Sequence, residues 1–172
     1  MPSKPSKMIL TYYHTQENRG EMLREPIMCK HNKAWLGNAY YFWENEEDAF
    51  FWGRKAKYKT GKYDIYKAEI PLDDVLDTVF DRDHYYFWVR QIEKAAKKFV
   101  KKTGYKPNIK EINEFFREKG IFRDLDGILF QDISKNPEHY IVEGFQYKKR
   151  IQLALYNKTK MIKFVFYISV EC

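Results

Sequence analysis

The chain has 172 residues, 44% hydrophobic and 18% aromatic, which is one domain's length with ample apolar side chain for a core and excludes a disordered or low-complexity protein. Thirty-one Lys and Arg oppose 24 Asp and Glu, and the net +7 suits a polyanionic partner or, on the plainer reading, a Lys-rich solvated surface. No stretch approaches the ~18 apolar residues of a membrane span, so no membrane partner is expected.

Residues 1–7 lack the apolar run of a signal peptide and read as a short flexible lead, leaving 8–172 as a single domain. Two cysteines, Cys29 and Cys172, make neither a disulfide framework nor a zinc pattern, which points to a reducing, cytoplasmic setting. Residues 8–14, apolar and aromatic, predict a first strand. Glu17 to Glu25 predicts a short helix that stops before Pro26. Tyr40-Tyr41-Phe42 predicts a second strand. Asn45 then reads as an N-cap, with Glu46, Glu47 and Asp48 in the first helical turn and Arg54, Lys55 and Lys57 in the last, as the helix dipole favours. Tyr63 to Ile70 alternates as a third strand, closed by Pro71.

A helical middle follows. Trp88, Ile92, Ala95, Ala96 and Phe99 recur at helical spacing, with Lys94, Lys97, Lys98, Lys101 and Lys102 opposite, up to Thr103-Gly104. Asn108 and Glu111 form a capping-box pattern for a second helix that buries Ile109, Ile112, Phe115 and Phe116 and ends at Gly120. The last third reads as strands again, at 127–130, 140–142, 151–156 and 161–170. Strands at the two ends of the chain and helices between them make the class α+β.

The motifs Tyr13-His14-Thr15, Trp35-Leu36-Gly37-Asn38-Ala39-Tyr40-Tyr41-Phe42 and Ala49 resemble the ADP-ribosyltransferase superfamily. The nearer branch is the diphtheria-toxin and poly(ADP-ribose)-polymerase type with its His-Tyr-Glu triad, and within it the small bacterial toxin or defence members. The resemblance runs from about residue 9 to about residue 165. It implies split antiparallel sheets enclosing a cleft for NAD, the substrate. It implies that His14 bonds a ribose hydroxyl, that the backbone at Thr15, next to Tyr13, holds the nicotinamide amide, and that Tyr41 stacks on the ring. Gly37 and Ala39 match the two small positions of the turn. Arg150 to Asn157 resembles the late strand that carries the catalytic Glu, which puts Gln152 there. Glu143 is the alternative carboxylate and Glu138 a more distant one.

The chemistry behind these roles is general. An imidazole both donates and accepts, so it can fix a diol. An aromatic face holds a flat ring and shields the reacting bond from water. A carboxylate stabilises a developing sugar cation, as in glycoside cleavage. Alternation puts Ile151, Leu153 and Leu155 on one side of their strand and Gln152 on the other; Gln152 can grip a hydroxyl but carries no charge. His14, His31, His84 and His139 lack metal spacing, so no metal is expected. The acidic stretch 73–83 reads as helix capping and solvated surface rather than a cation site.

Two functions follow. One is a mono-ADP-ribosyltransferase that uses NAD on a macromolecular acceptor. The basic surplus and the Lys face of 94–102 favour nucleic acid over protein, and a toxin of this sort suits an acidic antitoxin. The other is a catalytically weak or inactive module of the same fold that binds nucleic acid or a protein.

Overall fold

The computed structural model describes residues 8–32, 34–56, 60–133 and 140–172. It is α+β: a seven-stranded mixed sheet and three helices. The elements are β1 (Ile9–Glu17), β2 (Tyr40–Trp43), α1 (Glu46–Ala56), β3 (Lys62–Pro71), β4 (Val75–Asp77), α2 (Arg82–Thr103), α3 (Ile109–Glu118), β5 (Gly127–Ile133), β6 (Lys149–Leu155) and β7 (Lys163–Glu171). The strand order is β4-β5-β6-β2-β1-β3-β7, and the sheet does not close on itself.

Ladder lengths along this order are uneven. β1 pairs with β3 over nine consecutive residues, Ile9↔Pro71 to Glu17↔Tyr63, and β5 with β6 over seven. β1 meets β2 at one register pair, Tyr13↔Trp43. That short seam joins the β4-β5-β6-β2 half to the β1-β3-β7 half within the one sheet. β4 runs parallel to β5, and the remaining pairings are antiparallel.

One face of both halves packs on itself. Tyr12, Phe42, Ala68, Ile70, Val75, Leu129, Ile151, Leu153 and Leu155 form a single apolar cluster. The other face is covered by helices. α1 seals Trp43, Tyr63 and Ile65 with Ala49, and the Thr15 hydroxyl donates to the Ala49 carbonyl at 2.9 Å. α2 and α3 cover Ile128, Phe130 and Ala154 with Ala95, Ile112 and Phe116. Each helix has its expected cap. Asn45 Oδ1 accepts from Glu47 N at 2.7 Å, and Asp81 Oδ1 accepts from Asp83 N and His84 N. Asn108 and Glu111 complete the reciprocal capping box.

Two expectations are corrected, and one strand went unpredicted. Residues 18–25 hold no helix: Asn18 donates to both carboxylate oxygens of Asp64, Gly20 N donates back to Asn18 Oδ1, and Gly20 takes φ 80°. That Asx turn with a left-handed residue ends regular structure where helix-forming side chains follow. Residues 140–142 are no strand but part of an exposed loop, in which Ile141 N donates to the Tyr147 hydroxyl. β4 went unpredicted, since three residues carry no periodicity of their own. Lys57, Glu138 and residues 1–7 lie outside the described residues. No helix among the described residues is long and apolar enough to cross a membrane.

Candidate functional site

β6, β2 and β1 are neighbours, so Gln152, Tyr41 and His14 stand on three adjacent strands. The register sets their faces. Phe130, Gln152, Trp43 and Tyr13 form one row across β5, β6, β2 and β1. Tyr41 pairs with Ala154 and shares that side, as Ile128 and Phe130 beneath α2 and α3 also do. His14 takes the opposite side: its ring lies 5.4 Å from Phe42 and 6.0 Å from Phe164. The two rings of the expected clamp therefore point away from each other. They are joined by a hydrogen bond in which His14 Nδ1 donates to the Tyr41 carbonyl at 2.9 Å. A carbonyl only accepts, so the proton is on Nδ1 and a neutral ring keeps its lone pair on Nε2. At 4% exposure His14 closes the seam between β1 and β2.

Tyr41 is tied to the turn before it. Its hydroxyl donates to the Gly37 carbonyl at 2.7 Å and accepts from Leu36 N at 3.1 Å. Burial pushes this phenol far above its ordinary pKa, with the Tyr156 phenol adding to the shift. Tyr156 donates to the Leu36 carbonyl at 3.0 Å, and Arg117 Nη1 donates to the Asn38 carbonyl at 2.8 Å. Gly37 has φ 77°, which explains glycine there. Ala39 is a packing position: its methyl is fully buried, and its backbone bridges Cys29. The far side of the turn borders an open depression of about 190 Å³ lined by Gly37, Asn38, Glu114, Arg117 and Glu118.

Gln152 is half-buried on the helix-covered side, as alternation requires, while Ile151, Leu153 and Leu155 lie in the opposite core. Of its neighbours, Arg150 and Asp132 were not singled out from sequence, whereas Phe51 and Trp52 read there as packing rather than ring-lining residues. Arg150 pairs with Asp132 across β5 and β6 and binds its carboxylate. The guanidinium lies 5.8 Å from the rings of both Trp43 and Phe51. The Trp43 and Trp52 rings are 5.9 Å apart, and Trp52 is 43% exposed. Arg150 could have been found, because it precedes Gln152 by two residues and so shares its side. Asp132 could not, because it depends on the β5–β6 register. Asp132 is thus a carboxylate next to Gln152 on its side of the sheet, whereas Glu143 lies exposed in the 140–148 loop.

No protein-family model, curated protein or solved structure matches this chain. Among the described residues no group of three or more His, Cys, Asp or Glu could hold a metal ion. What the site offers is a half-buried amide, an Arg–carboxylate pair and partly open indole on one side of the sheet. An amide grips a sugar hydroxyl by donating and accepting, a guanidinium attracts phosphate, and an indole stacks on a flat ring.

Proposed function

We propose that this chain is an ADP-ribosyltransferase that takes NAD as substrate and transfers ADP-ribose to a nucleic acid. The observation that carries the reading is the strand order: β1, β2 and β6, distant in sequence, are neighbours, and they bring the three motif segments to one seam. NAD lies on the helix-covered side against the half-buried Gln152 and the exposed Trp52, with Thr15, Trp43 and Tyr41 packed behind them. Gln152 holds a hydroxyl of the nicotinamide ribose. Trp52 offers the open ring for nicotinamide, and Tyr41 backs it. His14 acts from behind the strand, by fixing the Tyr41 carbonyl. As nicotinamide leaves C1 of the ribose, Asp132 faces the cationic sugar, and an acceptor nucleophile then closes the new bond.

A second reading has its own support. Gln152 carries no charge, Asp132 is neutralised by Arg150, and Tyr41 is committed to its turn. Those facts fit a module that keeps the arrangement and binds a partner without transfer chemistry. Labelled NAD incubated with total RNA, DNA or lysate separates the two. The transferase reading expects label in nucleic acid, lost in Gln152→Ala and retained in Glu143→Ala. Binding of NAD without incorporation selects the module, and absence of NAD binding removes both NAD-based readings.

A further inference from the structure

The outer side of α2 is an elongated cationic surface with aromatic rings at one end. Its inner side, Trp88, Ile92, Ala95 and Ala96, packs over the sheet on the same side as Gln152. Opposite, Tyr86, Arg90, Lys94, Lys97, Lys98 and Lys101 are all exposed. At 100° per residue they fall within about one third of the helix circumference. The stripe runs ~28 Å from Arg82 to Lys101 at 1.5 Å per residue. Among the described residues, none of Arg90, Lys94, Lys97, Lys98 or Lys101 sits in an ion pair with an acidic side chain. Asp83 and Glu93 are the acids along this span of the helix, both exposed.

Exposed rings stand at the N-terminal end of the helix. Trp88 belongs to the core, whereas Tyr85 and Tyr86 are 44% and 47% exposed, their rings 5.3 Å apart and edge-on. Arg82 lies 5.7 Å from the Tyr86 ring. An exposed phenol beside a line of free cations has one natural complement: a polyanion that carries flat rings.

We infer that α2 is the docking ridge for single-stranded nucleic acid, with backbone phosphates along Arg90 to Lys101 and a base stacked on Tyr86. This inference rests on the proposed acceptor class and names its docking surface. A duplex would meet the cations but could not give a base to the ring. A membrane would need several aliphatic side chains to insert, and between Arg90 and Lys101 Val100 alone is exposed, at 39%. The ridge length matches the ~4–16 nucleotides that single-strand platforms span.

The test is fluorescence anisotropy with a labelled 12-nucleotide oligo(dT), without NAD, beside a hairpin duplex of equal charge and a polyglutamate peptide. Six cations, Arg82 and the five from Arg90 to Lys101, on a single strand predict a log–log salt slope near −4, or a loss of about 300-fold between 50 and 200 mM salt. Arg90→Ala/Lys94→Ala/Lys97→Ala should halve the slope. Tyr86→Ala should weaken oligo(dT) about ten-fold and leave the hairpin unchanged, since stacking is lost and charge is kept. Lys30→Ala, on an exposed loop, should change nothing. Equal binding of hairpin or polyglutamate, an unchanged slope in the triple variant, or no binding at 50 mM salt overturns the ridge. The readings fail separately: oligo(dT) binding without consumption of NAD sinks the transferase alone, and labelled nucleic acid from an intact triple variant sinks the ridge alone.

Discussion

Replacing Tyr41 by Phe removes one oxygen and keeps the ring. In the native chain that oxygen holds two backbone groups of the 36–37 turn, Leu36 N–H and Gly37 C=O. Both residues are buried, so water does not replace the lost partner freely. Two hydrogen bonds lost at ~1 kcal/mol each, with part of the cost of leaving buried groups unpaired, give ~2–3 kcal/mol. A chain of 172 residues has an unfolding entropy of about 0.36 kcal/mol/K near its midpoint, so the melting temperature should fall by ~6–8 °C. Calorimetry reads this directly. In the proposed NAD site only the Tyr41 ring would border the substrate, so NAD affinity, measured by titration below the lowered midpoint, should change less than two-fold. An unchanged melting temperature would show that the hydroxyl does not anchor the turn. A large loss of affinity with an unchanged midpoint would move the phenol itself into the binding site.

Three further outcomes are expected. Gly53→Ala adds a methyl that meets the buried ring of Tyr63, with Cζ at 2.6 Å, so despite a helix-propensity gain of ~1 kcal/mol it should destabilise by ~1–3 kcal/mol in urea; a more stable variant would contradict the packing of α1. Arg150→Met leaves Asp132 unpaired beside Trp43 and Phe51 and should cost ~2–3 kcal/mol, most of it recovered by adding Asp132→Leu; a double-mutant cycle with no coupling would deny the pair. Glu44 has its carboxyl pKa raised above 4.5 by burial, then by Asp77 and Asp48. The folded state therefore holds that proton more tightly than the unfolded chain, and the stability it contributes is full below 4.5 and lost as pH rises through the folded value. Glu44→Gln should flatten that segment of the stability–pH curve; an unaltered slope would show that Glu44 does not titrate there.

Features fixed within one turn of chain were legible. The Asn108–Glu111 box, the Asp81 cap and the acidic start of α1 need only neighbouring residues. Alternation correctly sent Gln152 away from Ile151, Leu153 and Leu155. The failures share a cause, which is competition from distant partners. Residues 18–25 have helical composition, but Asp64 on β3 captures Asn18 and the Tyr66 hydroxyl captures Leu23 N. β4 exists because β5 supplies its ladder. For the candidate site, the motifs fall on three adjacent strands, but they did not encode the faces. Whether His14 and Tyr41 point together depends on the β1–β2 register, and no local pattern encodes it. Asp132 was hidden for the same reason.

β7 lies at the end of the strand order, with one edge paired to β3. Val165, Phe166, Tyr167 and Ile168 remain partly open to solvent, the composition of a strand that recruits copies of itself. One extra residue spoils the template: Tyr66 opposes Phe166 and Ile65 opposes Ile168, so Tyr167 bulges and splits nine residues into two runs of four. A visiting strand loses its match half-way. The same element thus joins an open apolar edge to a built-in mismatch, and shortening that strand by the single tyrosine would remove the mismatch while leaving the fold its ladder.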